Sequence, residues 1–462
     1  MAVKKGQRLE LNIDDVAFGG KGLARVDGMA VFVEGAVPLD RVIARITKKK
    51  RQYAEARIET LLDPSPHRVP PPCMYSGFCG GCKWQHLDYE KQLLYKQQHV
   101  RDSLEHIGRV HGTPIHPTIP SPRIFEYRNK MEFSCSDRRW LLPDEMDKED
   151  IDRDFALGLH VPGTFYKVLD TRECLLQPEM GNRILDTLRT YMMQSGAPVY
   201  GLRTHVGFWR FAMLRHSAAY DQWMVNIITA SEDRKIVQPL ADRLMDTYPR
   251  VVSVVNNITS RKAGIAVGEY EIRLAGTSRL KDMIAGYTFE ISANSFFQTN
   301  TLGAERLYEA IKAYAGLSGG ETVVDLYSGT GGIAICLADS AHKIIGIEIV
   351  ESALADAFKN CRRNGISNCG FIHGDIRDCL SQVSEPTDVM IIDPPRAGMH
   401  KDVVRQVLDM APAKIVYVSC NPSTMARDIG LMKAQYRTAE VQPIDMFPHT
   451  YHIESVARLE LM

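Results

Sequence analysis

Residues 321–332 read ETVVDLYSGTGG, and residues 343–348 read KIIGIE. The first stretch is an apolar, β-branched run that ends at Asp325 and passes into Gly329, Gly331 and Gly332. Such a run, bounded by glycines, predicts a buried strand whose turn lets the backbone come close to a ligand before a helix begins. The second run ends in Glu348, twenty-three residues after Asp325. An acid at the tip of the next strand can accept hydrogen bonds from both hydroxyls of a ribose. Working outward, a helical stretch over 351–364 leads to CGFIHGD, then TDVMIID, a helical stretch over 401–411, and KIVYVSC. Strands alternating with helices predict βαβ units, a mostly parallel sheet and a Rossmann-like α/β domain.

The glycine turn lacks the full GxGxxG pattern, and no Lys-Ser or Lys-Thr opens its helix. A dinucleotide or a P-loop phosphate therefore fits poorly, and S-adenosylmethionine, which has no phosphate to cradle, is the preferred cofactor. Asp375, at the end of the following strand, is a candidate adenine contact, or equally a helix cap. In IIDPPR (391–396) two prolines stiffen the chain just past Asp393 and set that carboxylate beside the cofactor. Enzymes that methylate exocyclic amines place an aromatic after such prolines. Here that position is Arg396, which speaks against amine methylation.

The run IVYVSCNP (415–422) delivers Cys420 at the C-terminal end of a parallel strand, where α/β enzymes bind their ligands. Methyl transfer needs a thiol only where the target atom must first be activated. C5 of uracil is such an atom: a thiolate adding to C6 gives C5 the negative character required to attack a methyl sulfonium. A free thiol titrates near ~8.5, so the site must favour the thiolate. Release then needs a base for the C5 proton, and Glu454 in PHTYHIES is the candidate. Cys336, Cys361, Cys369 and Cys379 read as small apolar residues in the core.

Upstream, residues 7–60 alternate in short runs broken by glycines, predicting a small β-barrel. Residues 1–62 hold twelve Lys/Arg against eight Asp/Glu, including Lys48-Lys49-Lys50-Arg51, although the whole chain of 462 residues is formally neutral. The prolines of DPSPHRVPPP (63–72) mark a boundary. Cys73, Cys79 and Cys82 follow with C-x5-C-x2-C spacing, which points to a metal; zinc and an iron–sulfur cluster both fit, and each needs a fourth ligand. His86 is one option for zinc. Residues 84–107 carry Leu87, Leu94, Val100, Leu104 and Ile107 at helical spacing. The part up to about 285 reads as α+β, with strands near 156–160, 203–214, 223–230 and 251–258 and an exposed acidic loop over 144–154. No apolar run reaches the ~18 residues needed to span a bilayer, and nothing at the N-terminus directs export, so the expected location is cytoplasmic. Three units follow: 1–62, 63–285 and 286–462, with the helix at 84–107 free to pack on the last.

With VSCNPSTMARD, DPPRAG, FFQTN and HTYHIES in order, the chain resembles the S-adenosylmethionine-dependent RNA uridine-C5 methyltransferases over nearly its full length. The resemblance implies Cys420 as nucleophile, Glu454 as base, and Gln298, Tyr327, Glu348, Asp375 and Asp393 as cofactor-binding residues. It also implies that Asp393 holds the uracil and that Phe296, or Phe297 in a shifted register, stacks on a base turned out of its helix. The N-terminal part looks like a TRAM domain, an OB-like RNA-binding barrel. Family members with this cysteine spacing hold a [4Fe–4S] cluster, with the fourth ligand at the place of Cys174. Barrel and cluster together resemble the 23S ribosomal RNA branch more than the transfer RNA branch. The implied partner is RNA, 23S rRNA in particular, without DNA or membrane, bound by a monomer. Alternatives are a tRNA uridine-C5 methyltransferase, an amine-directed enzyme, and a redox-sensing RNA-binding protein without catalysis.

Overall fold

Seven strands form the sheet of the C-terminal domain: β1 (Thr322–Leu326), β2 (Lys343–Glu348), β3 (Cys369–His373), β4 (Val389–Ile392), β5 (Lys414–Ser419), β6 (Tyr436–Ile444) and β7 (Glu454–Leu461). The computed structural model describes residues 3–262 and 264–462. The strand order is β3-β2-β1-β4-β5-β7-β6. The first five run parallel, and β7 inserts antiparallel between β5 and β6. Side chains alternate between two cores, as a strand's period of two requires. Val323, Ile391, Val416 and Val418 face one core; Val324, Met390, Ile392, Ile415 and Tyr417 face the other. Order reverses at β1 and β4, so the C-terminal strand ends open a crevice there.

The N-terminal unit is a six-stranded sheet ending at Asp63 and wrapped around Val31, Val33, Ala44, Ile46 and Ala54. The middle unit has a mixed six-stranded sheet, with helices Glu179–Gln194 and Arg234–Thr247 packed on one face. Its strand expected from 203 begins only at Trp209; Gly207, at φ +131°, breaks the extended path before it. The line at 285 falls inside a hairpin, Leu280–Ile284 with Tyr287–Ile291. Ile284, Phe289 and Ile291 on its two strands all pack into the core of the C-terminal domain.

Helix α1 (Tyr89–Ser103) continues as a wider π-helical turn, Leu104–Gly108. Val100 and Leu104 join the core of the C-terminal domain, so the helix does pack there. Its buried face is otherwise not the expected apolar stripe. Leu94 is 52% and Ile107 49% exposed, while Gln92, Lys96, His99 and Ser103 are buried. These side chains find partners: Lys96 Nζ pairs with Asp445 at 2.6 Å, both side chains fully enclosed, and His99 Nε2 lies 2.8 Å from the Val16 carbonyl, while His99 Nδ1 has no partner among the described residues. Buried polar groups are tolerated when satisfied in this way.

Candidate active site

The crevice holds a cleft of about 350 Å³ bordered by Tyr327, Glu348, Asp375, Pro395 and His400. Tyr327 leaves β1 at φ +64°, a costly conformation for a non-glycine residue. Gly331 follows at φ +79°, where a Cβ would lie 3.2 Å from Ala357 and from Phe371. Glu348 braces the turn: its Oε2 accepts from Gly329 N at 2.9 Å and its Oε1 from Val350 N at 2.8 Å. Asp375 caps the next helix by accepting from Arg377 N at 2.9 Å and pairs with the Arg377 side chain at 2.6 Å. That hydrogen-bonded pair holds its carboxyl down at about 2. The cap reading is thus realised, with the pair on the border of the cleft.

Asp325 is buried at the end of β1. Among the described residues neither of its carboxylate oxygens, nor Ser328 Oγ, has a hydrogen bond of ordinary geometry; the Ala334 backbone approaches it. Burial first, then the charges of Asp393 and Glu348, push its pKa well above the usual carboxylate range. Asp393, which keeps some solvent contact, is raised to about 6 by desolvation. Acids gathered this way repel a pyrophosphate and suit a ligand bearing a sulfonium and an ammonium. The residues therefore fit S-adenosylmethionine.

At the reacting end, Ser419 of β5 pairs with Ser455 of β7. One step further along the two strands lie Cys420 and Glu454, so cross-strand register sets them side by side. Cys420 is partly accessible, whereas Glu454 is buried. Burial drives the Glu454 carboxyl well above its usual range, with Asp393 adding to the rise and Arg396 opposing it. The Cys420 thiol is pushed up to about 11 by burial, and further by Glu454 and Asp393, against the opposing charge of Arg396. Arg396 is held in turn: its carbonyl accepts from Asn421 Nδ2 at 3.1 Å and from Thr424 Oγ1 at 3.2 Å. The Asn-Pro turn after the thiol thus locates the arginine that supports it. Sequence reading took Arg396 only for a missing aromatic, and the Pro-Pro-Arg signal was visible.

Phe296 is 66% exposed, on a loop facing solvent. Phe297 is core, 5.9 Å from Phe289 between ring centroids; the shifted-register alternative is therefore corrected, because that ring is used in packing. Gln298 lies beside it, its carbonyl accepting from Asn129 Nδ2 at 2.7 Å. Arg215, from the middle domain, clamps the same loop by donating to the carbonyl of Ala293 at 3.2 Å and to that of Ser295. Sequence patterning missed this residue, since a buried arginine looks like any other charged position on a strand.

Cys73, Cys79 and Cys82 are partly accessible, Cys174 is buried, and none is in a disulfide. Burial pushes Cys82 up to about 11 and Cys174 to about 12, and in each case the neighbouring thiols of the group add to the rise. Among the described residues no three His, Cys, Asp or Glu side chains converge as a set able to hold a metal. Free thiols outside any disulfide are the donor chemistry that a thiolate-bound metal centre needs. His86, the zinc alternative, is held well below the usual imidazole range, to about 4, by burial first and then by the charge of Arg68, against Asp40 and Glu34.

Fold and crevice define a methyltransferase of the Rossmann-like class. The sequence model described as tRNA (Uracil-5-)-methyltransferase matches residues 384–461, the TRAM domain matches residues 2–58, and the RNA cap guanine-N2 methyltransferase model matches residues 320–418. An uncharacterised RNA methyltransferase of Chlorobaculum tepidum is 44% identical over 99% of this chain and 97% of its own length. Another, of Porphyromonas gingivalis, is 41% identical over 97% and 99%. A Pyrococcus abyssi tRNA (uracil-54, C5)-methyltransferase, solved with S-adenosyl-L-homocysteine, superposes with a TM-score of 0.76 at 26% identity, covering 98% of this chain and all (100%) of its own. The chain belongs to the RNA methyltransferase family that joins a TRAM domain to a (uracil-5-)-methyltransferase domain. It is an S-adenosylmethionine-dependent RNA methyltransferase, and no helix among its described residues is long and apolar enough to cross a membrane.

Proposed function

We propose that the protein methylates C5 of a uridine in RNA, 23S rRNA in particular, through a covalent bond between Cys420 and C6 of the ring. The observation that carries this reading is the β5–β7 register, which pairs Ser419 with Ser455 and so sets a thiol beside a buried carboxyl. Arg396 favours the Cys420 thiolate, which adds to C6. S-adenosylmethionine, when bound, supplies the methyl electrophile. As C5 takes the methyl, the C–S bond electrons would leave with the thioether product; Asp325 and Asp393 would face the cofactor's cationic part, Glu348 its ribose hydroxyls and Asp375 its adenine, with Tyr327 and Gln298 beside it, and Asp393 would also orient the uracil. Phe296 stacks on the base turned out of its helix. Glu454 then takes the C5 proton; the C–H electron pair forms the C5=C6 double bond, and the C6–S electrons return to Cys420.

Cys73, Cys79, Cys82 and Cys174 would hold a [4Fe–4S] cluster, cross-linking the segment after the barrel to the middle domain. A second reading, a tRNA substrate, is favoured by the likeness to the Pyrococcus abyssi enzyme over 98% of the chain. Mass spectrometry of rRNA and tRNA from cells lacking the protein decides between the two: 5-methyluridine missing from 23S rRNA supports the first, and its loss from tRNA alone overturns it. Cys420→Ala should abolish product; retained methylation would remove the covalent route.

A further inference from the structure

The loop over 445–452, which leads into Glu454, is tied to the segment that follows Cys82. The Lys83 and Trp84 N–H groups both donate to the His449 carbonyl, at 2.8 and 2.9 Å. Gln92 of α1, with 0% exposure, stands between the two segments. Its Nε2 donates to the carbonyls of Trp84 at 3.0 Å and Leu87 at 2.8 Å, while its Oε1 accepts from His449 N at 2.9 Å. His449 sits at φ +65°, a conformation that persists only where surrounding contacts over-determine it. From there the path to the base is stiff: Thr450 Oγ1 donates to the Phe447 carbonyl at 2.8 Å and accepts from His452 N at 3.2 Å. Lys96, one turn along α1, holds the loop's start by donating to Asp445 at 2.6 Å and to the Phe447 carbonyl at 3.1 Å.

We propose that Gln92 is a positioning residue for proton abstraction: by fixing His449 it sets Glu454 against the C5 proton, and it has no part in the addition of Cys420 to C6. This rests on the covalent route above. Loss of Gln92 leaves thiol addition and methyl transfer in place and slows elimination, so enzyme gathers as the methylated, sulfur-linked RNA adduct. A displacement of about 1 Å at a catalytic group costs on the order of 10²-fold in rate.

The test compares Gln92→Met, Gln92→Glu and Glu454→Gln in the full-length holoprotein with its RNA, scoring turnover, KM and denaturation-stable protein–RNA adduct. Gln92→Met should lose about 10²-fold in kcat, keep KM for RNA within about twofold and accumulate adduct as Glu454→Gln does. Gln92→Glu, which keeps an acceptor for His449 N–H, should turn over at least about tenfold faster than Gln92→Met. It remains informative should the methionine variant fail to fold, because stalling of a folded, cofactor-binding Gln92→Glu protein as adduct overturns the proposal. So does normal turnover of Gln92→Met, or its loss of turnover without adduct while Glu454→Gln accumulates it. Absence of adduct in Glu454→Gln itself overturns the covalent route instead.

Discussion

Replacing Arg396 with methionine removes the cation that opposes the rise of the Cys420 pKa while keeping a comparable stem. The thiol is already held up at about 11 with that cation in place, so at pH 8 only about one molecule in a thousand carries the thiolate. Two unit charges about 4 Å apart interact by ~1–4 kcal/mol between water and a protein surface. Arg396 is exposed, and solvent screening puts its contribution at the low end, ~1.4 kcal/mol, or about one pKa unit. The sign follows from the acid: losing a cation that stabilises the thiolate raises the pKa further and lowers the ionised fraction at every pH below it. Arg396→Met should therefore slow Cys420 alkylation by iodoacetamide about tenfold between pH 7 and 10, moving the rising limb one unit to higher pH. Peptide mass spectrometry at Cys420, without RNA or cofactor, isolates the thiol from all later steps, and kcat/KM for methylation should fall by the same factor. An alkylation profile identical to the parent's, alongside lost methylation, would refute the assignment and leave Arg396 acting on RNA or fold.

Asp325→Asn should stabilise the cofactor-free protein against denaturant, because a buried carboxyl gathered with Asp393 and Glu348 becomes neutral, and should weaken S-adenosylmethionine binding by calorimetry; unchanged affinity would remove Asp325 from the cofactor's surroundings. Glu348→Gln keeps the shape of the brace on Gly329 and Val350 but loses its charge-assisted acceptance, for an expected drop in cofactor affinity of about tenfold. Lys96→Met leaves Asp445 buried without its cation and should cost about 3 kcal/mol in denaturant unfolding, whereas a change below about 0.5 kcal/mol would mean the pair adds nothing net.

Much of the site was legible in one dimension because α/β proteins put ligand contacts at strand ends, and strand ends announce themselves. Asp325, Asp393 and Cys420 each close a β-branched run before a glycine, proline or asparagine turn, and Glu348 closes one shortly before a helix. The TRAM-like barrel was readable for the same reason, as alternation cut by glycines. The helix over 89–103 was read only partly right: Val100 is enclosed as its spacing implied, Leu94 is not, and the rest of the buried face is polar. Periodicity assumes that what is buried is apolar, and that fails where Gln92, Lys96 and His99 meet partners from residues 445–449 and from Val16.

By itself the sequence determined the class of the C-terminal domain, the thiol and carboxyl proposed for the chemistry, and the spacing of the first three cysteines, all local patterns of burial and turning. Only the tertiary structure decided that β7 runs back between β5 and β6, that Cys420 and Glu454 thereby become neighbours, and that Phe296 rather than Phe297 faces out. It decided too that the charge of Arg396 acts on Cys420 and that a polar helix from another part of the chain braces the loop before Glu454. Those outcomes depend on pairing between segments up to 357 residues apart, and pairing energy over such separations is set by which surfaces can be satisfied together, a property no local window of residues contains.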